Sequence, residues 1–131
     1  MEISQSYLYD KACYQMYKIN GIRFAAIINK RGRKIAGGFN SKVVPLETNE
    51  KKIEMLFMEM ALDLSMRNEF TDSLGIMRAL VSFRDKTNII TIPHRDNFML
   101  VSSEPELDPN KVIEIALRNL PSMEIVEVMI H

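Results

Sequence analysis

His94, Arg95 and Asp96 are consecutive residues whose types could do chemistry. An imidazole beside a carboxylate is the pairing that general acid–base catalysis uses, and it acts only on a group held within hydrogen-bond reach. Such a dyad still needs a nucleophile, and the segment reads instead as a solvated turn. His131, the second histidine, is terminal. Cys13 is the single cysteine, so no internal disulfide forms, and no Cys/His cluster has the spacing of metal ligands. The thiol is expected to be a small buried apolar group. The chain contains no GxxxxGK[ST] loop, no HExxH and no nucleophile elbow. Gly37-Gly38 has no helix after it to make a phosphate cradle, and is expected to be a bulge or a close packing point for a neighbouring helix. No catalytic residue, metal or cofactor is assigned, and the chain reads as a non-enzyme.

Two other groups of residues could bind rather than catalyse. Lys30, Arg31, Arg33 and Lys34 put four cations into one turn. They are a possible docking patch for phosphate, nucleic acid or an acidic protein face, against the simpler reading that charge keeps a tight hairpin tip soluble. No aromatic residue interrupts them, so the stacking platform of a single-strand binder is missing and nucleic acid is not an expected partner.

The second group lies between Thr48 and Arg67. Ile53, Leu56, Phe57, Met60, Ala61 and Leu64 recur at the spacing of one helix face, while Met55, Met58, Leu62 and Met66 form a second stripe half a turn away. Glu54 flanks the stripes on one side, and Lys52, Glu59 and Asp63 on the other. One face can cover the protein's own sheet, and the other needs a partner. Methionine's flexible thioether suits an adaptable contact surface, so Met55, Met58, Leu62 and Met66 are assigned to a homodimer interface.

These groups must be positioned by the rest of the chain. At 131 residues and 47% hydrophobic, it can bury one core without disulfides or metals, and a single domain over residues 1–131 is expected. No apolar run approaches the roughly 20 residues of a membrane helix. The start, Met1-Glu2-Ile3-Ser4, lacks the features of a signal peptide, so a soluble cytoplasmic protein is expected with no membrane partner. The zero net charge conceals an asymmetry. Residues 1–42 carry eight Lys/Arg against two acidic residues, and the remainder carries nine against fifteen.

Ser4 or Ser6 can cap a helix from about residue 5 to 19 with a stripe of Leu8, Ala12, Cys13, Met16 and Tyr17, stopped by Asn20-Gly21. Four tyrosines crowd it, either packed in part against the core or presented as a contact surface. Ile22–Ile28 and Lys34–Phe39 predict a hairpin whose first strand is apolar nearly throughout, as in a strand covered on both faces. Thr48 is the expected N-cap of the two-faced helix, which ends near Asn68. Ile76–Arg84, Ile89–Pro93 and Phe98–Ser102 predict a three-stranded meander, its first strand at a sheet edge. Asp108-Pro109 starts a last helix with a stripe of Val112, Ile113, Ala116, Leu117 and Leu120, and Pro121 ends it. The tail 121–131 is an extension that could be a strand or a further helical turn. The fold expected is α+β, a five-stranded antiparallel sheet with helices on both faces in the order α-β-β-α-β-β-β-α.

That order, with the strand-turn-strand text from Ile22 through Gly32 to Ala36-Gly37-Gly38, resembles the roadblock/dynein-light-chain group of profilin-like folds over about residues 5–120. It is also similar to archaeal proteins of comparable length. The resemblance implies a non-enzymatic homo- or heterodimer whose middle helices pack across the dimer axis and which regulates or anchors a small GTPase. The function expected is therefore a homodimeric regulatory or scaffold protein. The alternative is a profilin-like small-ligand sensor with a pocket between sheet and helix, distinguishable by a cavity with convergent polar groups.

Overall fold

In the computed structural model, residues 4–122 are described, so residues 123–131, with His131 and the question of strand or helix in the tail, lie outside them. The sheet order is β2-β1-β5-β4-β3, with β1 spanning Ile22–Ile28, β2 Lys34–Phe39, β3 Leu80–Phe83, β4 Asn88–His94 and β5 Asn97–Ser103. Every neighbouring pair is antiparallel. The element order expected from the sequence is the one observed, and β3 lies at an edge.

Side chains alternate across a strand, so β1, β4 and β5 feed two separate cores. On one face Ala25, Ile27, Ile90, Ile92, Met99 and Val101 meet helix α1 (Gln5–Tyr17) and helix α4 (Pro109–Asn119). On the other, Phe24, Ala26, Ile28, Phe98 and Leu100 meet helix α2 (Glu50–Arg67) through Phe57, Ala61 and Leu64. The near-continuous apolar run of β1 is explained by this double coverage.

Local signals fix the helix ends. The Ser4 hydroxyl accepts from the Tyr7 N–H at 3.1 Å, and the Asp108 carboxylate accepts from the Asn110 N–H at 3.0 Å with Pro109 at the first helical position. α2 is capped by Asn49 rather than Thr48: the Asn49 side-chain oxygen accepts from the N–H groups of Lys51 and Lys52 at 3.0 and 3.2 Å. Its last turn runs into a 3-10 turn, Asn68–Phe70, and a one-turn helix α3, Thr71–Leu74, where the sequence suggested only a turn. β3 is correspondingly shorter than the apolar text from Ile76, because only Leu80–Phe83 find partners on β4.

Among the tyrosines of α1, two pack and two do not. Tyr9 is buried and the single hydroxyl proton of Tyr17 is shared between the carbonyls of Gly38 and Ala25, 2.7 and 2.9 Å away, whereas Tyr7 and Tyr14 are exposed. Gly37, at φ +77°, lies against Ala25 of β1 and the Cys13 sulfur, so the first glycine of the pair is a close packing point under α1. Cys13 is fully buried, and burial pushes its thiol up to about 12.

Candidate functional site

The two stripes of α2 separate as their spacing requires. Phe57, Ala61 and Leu64 are buried against the sheet, with Ile53, Leu56 and Met60 half-buried, while Met55, Met58, Leu62 and Met66 are 53–67% exposed. No helix covers the outer stripe among the described residues, because α1 and α4 both sit across the sheet. Four large apolar side chains in one helical row form a continuous patch of a kind that soluble monomers seldom present.

The cationic turn is closed by Asn29, whose side-chain oxygen accepts from the N–H groups of Arg31 and Arg33 at 2.9 and 3.0 Å. Lys30, Arg31, Arg33 and Lys34 are all exposed, and none joins an ion pair among the described residues. Gly32 is different. It is buried, with φ +78°, and a Cβ placed on it would come within 2.9 Å of the Met58 Cα and 2.7 Å of its Cγ. The hairpin tip thus rests on the backbone of α2 at the middle of the outer stripe. The two groups proposed separately from sequence are neighbours, forming an apolar row with a cationic turn at its side. Sequence alone offered no signal for this contact beyond the glycine itself.

His94 is not in a solvated turn. It ends β4, is buried, and lies edge-on to Tyr9 with ring centroids 5.3 Å apart. Its Nε2 is 2.7 Å from the Pro121 carbonyl oxygen and its Nδ1 is 2.7 Å from the Tyr9 hydroxyl. A carbonyl only accepts, so Nε2 carries the proton and neutral Nδ1 accepts from Tyr9. Asn97 Nδ2 in turn donates to the Tyr9 oxygen at 3.3 Å. Burial lowers the His94 pKa, with the Pro121 carbonyl opposing and the Arg95 charge assisting, and burial raises that of Tyr9. The nearest groups offer no exposed nucleophile, so this is a structural tie between α1, β4 and the end of α4. A period-two reading would have found it: Ile90, Ile92 and His94 share one face of β4.

A cleft of about 140 Å³ opens between the first half of α2, the sheet and the loop that precedes α2. Its exposed wall is mostly carbon, with Phe24, Phe39 and Phe57 prominent, and it lacks the convergent polar groups expected of the small-ligand sensor. Among the described residues there is no cluster of three potential metal ligands, and no helix is long and apolar enough to cross a membrane.

The profile of a family described as a family of unknown function (DUF6659) matches residues 2–123. No curated protein matches the chain. Among solved structures, an MglB with a tetrameric arrangement is similar at a TM-score of 0.74 and 11% identity, over 96% of this chain and 92% of that one. A Roadblock/LC7 domain from Streptomyces avermitilis gives 0.67 and 9%, over 93% and 98%. A Schizosaccharomyces pombe profilin gives 0.58 and 13%, over 95% and 98%. The fold is therefore roadblock-like and profilin-like.

Proposed function

The chain belongs to the family of unknown function DUF6659, and within it we propose a non-catalytic regulatory or scaffold module that self-associates through the outer face of α2. The observation that carries this reading is the exposed row Met55, Met58, Leu62 and Met66 on a helix whose opposite face is already spent on the sheet. A second copy offers the same row, and an isologous contact buries both at once. That an MglB of the same fold is found in a tetrameric arrangement is consistent with self-association.

The cationic turn beside this row is the docking patch for an acidic protein face in the same proposal. Its four charges are free of ion pairs among the described residues, so they are available to a partner without breaking an internal contact. The resemblance to the roadblock group adds a small GTPase as the partner class. In this reading residues 1–131 act as one unit in the cytoplasm, with 121–131 as its extension.

Light scattering of the purified chain across the micromolar range tests the proposal. A dimer mass that falls to the monomer mass when Leu62 is replaced by Glu supports it, and a monomer mass for the unmodified chain overturns it.

A further inference from the structure

The carbon-walled cleft between α2 and the sheet is not used by the self-association reading, and its chemistry points to an occupant of its own. Three phenyl rings converge on it. Phe24 lies edge-on to Phe39 at 4.9 Å between centroids and tilted to Phe57 at 5.9 Å. Val43, Ile53, Leu56, Ile89 and Leu100 add aliphatic wall.

Each polar side chain at its margin has a partner within the protein. Thr87 donates its single hydroxyl proton to the Ser103 carbonyl at 2.8 Å, so the 2.6 Å contact between the Thr87 and Ser102 hydroxyls requires Ser102 to donate. Arg23 is held by Glu104 and by the Val44 carbonyl, each at 2.6 Å. The Glu47 carboxylate accepts from the Asn49 N–H at 3.3 Å and stands at the rim as a negative charge. Arg23 and Glu47 keep further hydrogen-bonding capacity, but they stand at the rim as opposite charges, and the walls beneath them are carbon. A charged ligand would lose its hydration without replacement.

Size narrows the choice further. The cleft measures about 140 Å³, close to the roughly 150 Å³ of an engineered apolar cavity that holds benzene in another protein. Edge-to-face and offset contacts between rings add to the gain from burial. The loop before α2 contributes Val43, Pro45 and Leu46 to the lining, and Leu46 is 52% exposed there.

We propose that this cleft is a binding site for a small uncharged ligand bearing a single aromatic ring. The inference does not rest on self-association, since the cleft lies on the sheet side of α2 and the exposed row on the other.

Toluene is the probe, added to the full-length 15N-labelled chain and followed by amide chemical shifts. Saturable shifts at Phe24, Ile53, Phe57 and Leu100 are expected, together with a rise in melting temperature that grows with toluene concentration. Benzoate keeps the ring and adds a carboxylate, and should bind at least about tenfold more weakly. Val43→Phe, on the loop, and Ile53→Phe, on α2, fill the cleft from two sides, and each should weaken toluene binding by about tenfold or more through lost room. Shifts that never saturate overturn the proposal, as does benzoate binding equal to that of toluene. Toluene affinity unchanged in both filled variants, with their folded spectra retained, also overturns it.

Discussion

The Tyr9 hydroxyl lies 2.7 Å from His94 Nδ1 and ties the middle of α1 to the last residue of β4, while the other nitrogen of the same ring holds the Pro121 carbonyl beyond α4. Three elements far apart in sequence meet at one buried imidazole. The Pro121 carbonyl places a proton on Nε2, and burial favours the neutral ring, whose Nδ1 accepts from Tyr9.

This makes stability pH-dependent in a defined direction. The folded state lowers the His94 pKa, so as pH falls through the ordinary imidazole value of about 6.5 the unfolded chain takes up a proton before the folded one does. The stabilisation from His94 is complete above that value and is lost progressively below it. Urea midpoints at pH 8, 6.5 and 5.5 should decline, and the decline should be shallower in His94→Gln. A parallel pH dependence in the two proteins would show that His94 does not carry it.

Tyr9→Phe removes the donor and leaves Nδ1 buried without its partner. The expected loss is about 1–3 kcal/mol, the usual cost of stranding one buried polar group, because the phenyl ring itself still fills the site. Equilibrium urea denaturation at pH 8 gives the value, and a loss below about 0.5 kcal/mol would mean that water reaches the imidazole.

Self-association should respond to the outer stripe and not to the inner one. Leu62→Glu places a charge in the middle of the exposed row and should yield a folded monomer, since desolvating an unpaired carboxylate opposes the contact. Met58→Glu should act in the same direction, with an added effect on the hairpin because Met58 also supports Gly32. Unfolding by Leu62→Glu, seen by circular dichroism, would instead assign the stripe to the protein's own core.

The cationic turn should matter for partners and hardly at all for folding. Replacing Lys30, Arg31, Arg33 and Lys34 together by Ser is expected to change stability by less than about 1 kcal/mol, because all four are exposed and unpaired among the described residues. Binding of an acidic partner by the unmodified protein should weaken steeply with salt and be lost in the variant. Salt-insensitive binding retained by the variant would leave these cations as solubilising charges.

Gly32→Ala tests the seat of the hairpin on α2. The positive φ alone costs about 1–2 kcal/mol for a residue with a Cβ, and here the new carbon also meets the Met58 backbone, which cannot swing away. A loss of about 2 kcal/mol or more in urea denaturation is expected. A near-neutral result would show that the tip lifts off the helix freely.

Features that depend on neighbours along the chain were legible before any folding was considered. Period-two and helical spacing gave the five strands, the α1, α2 and α4 helices and the two faces of α2, because a helix with apolar rows on opposite sides has only one sheet to lie on. Capping residues located Asp108 and left Ser4 or Ser6 for α1, where Ser4 serves, but chose Thr48 where Asn49 serves, since each can accept and only backbone geometry selects between them. Tertiary structure alone decided which distant surfaces meet. His94 looked like a turn residue because its partners Tyr9 and Pro121 lie 85 and 27 positions away. Gly32 looked like a hairpin glycine until Met58 was found beneath it, joining the basic turn to the methionine row. The phenyl-lined cleft likewise depends on the height at which α2 crosses the sheet, a distance set by packing between elements and written in no local pattern of residues.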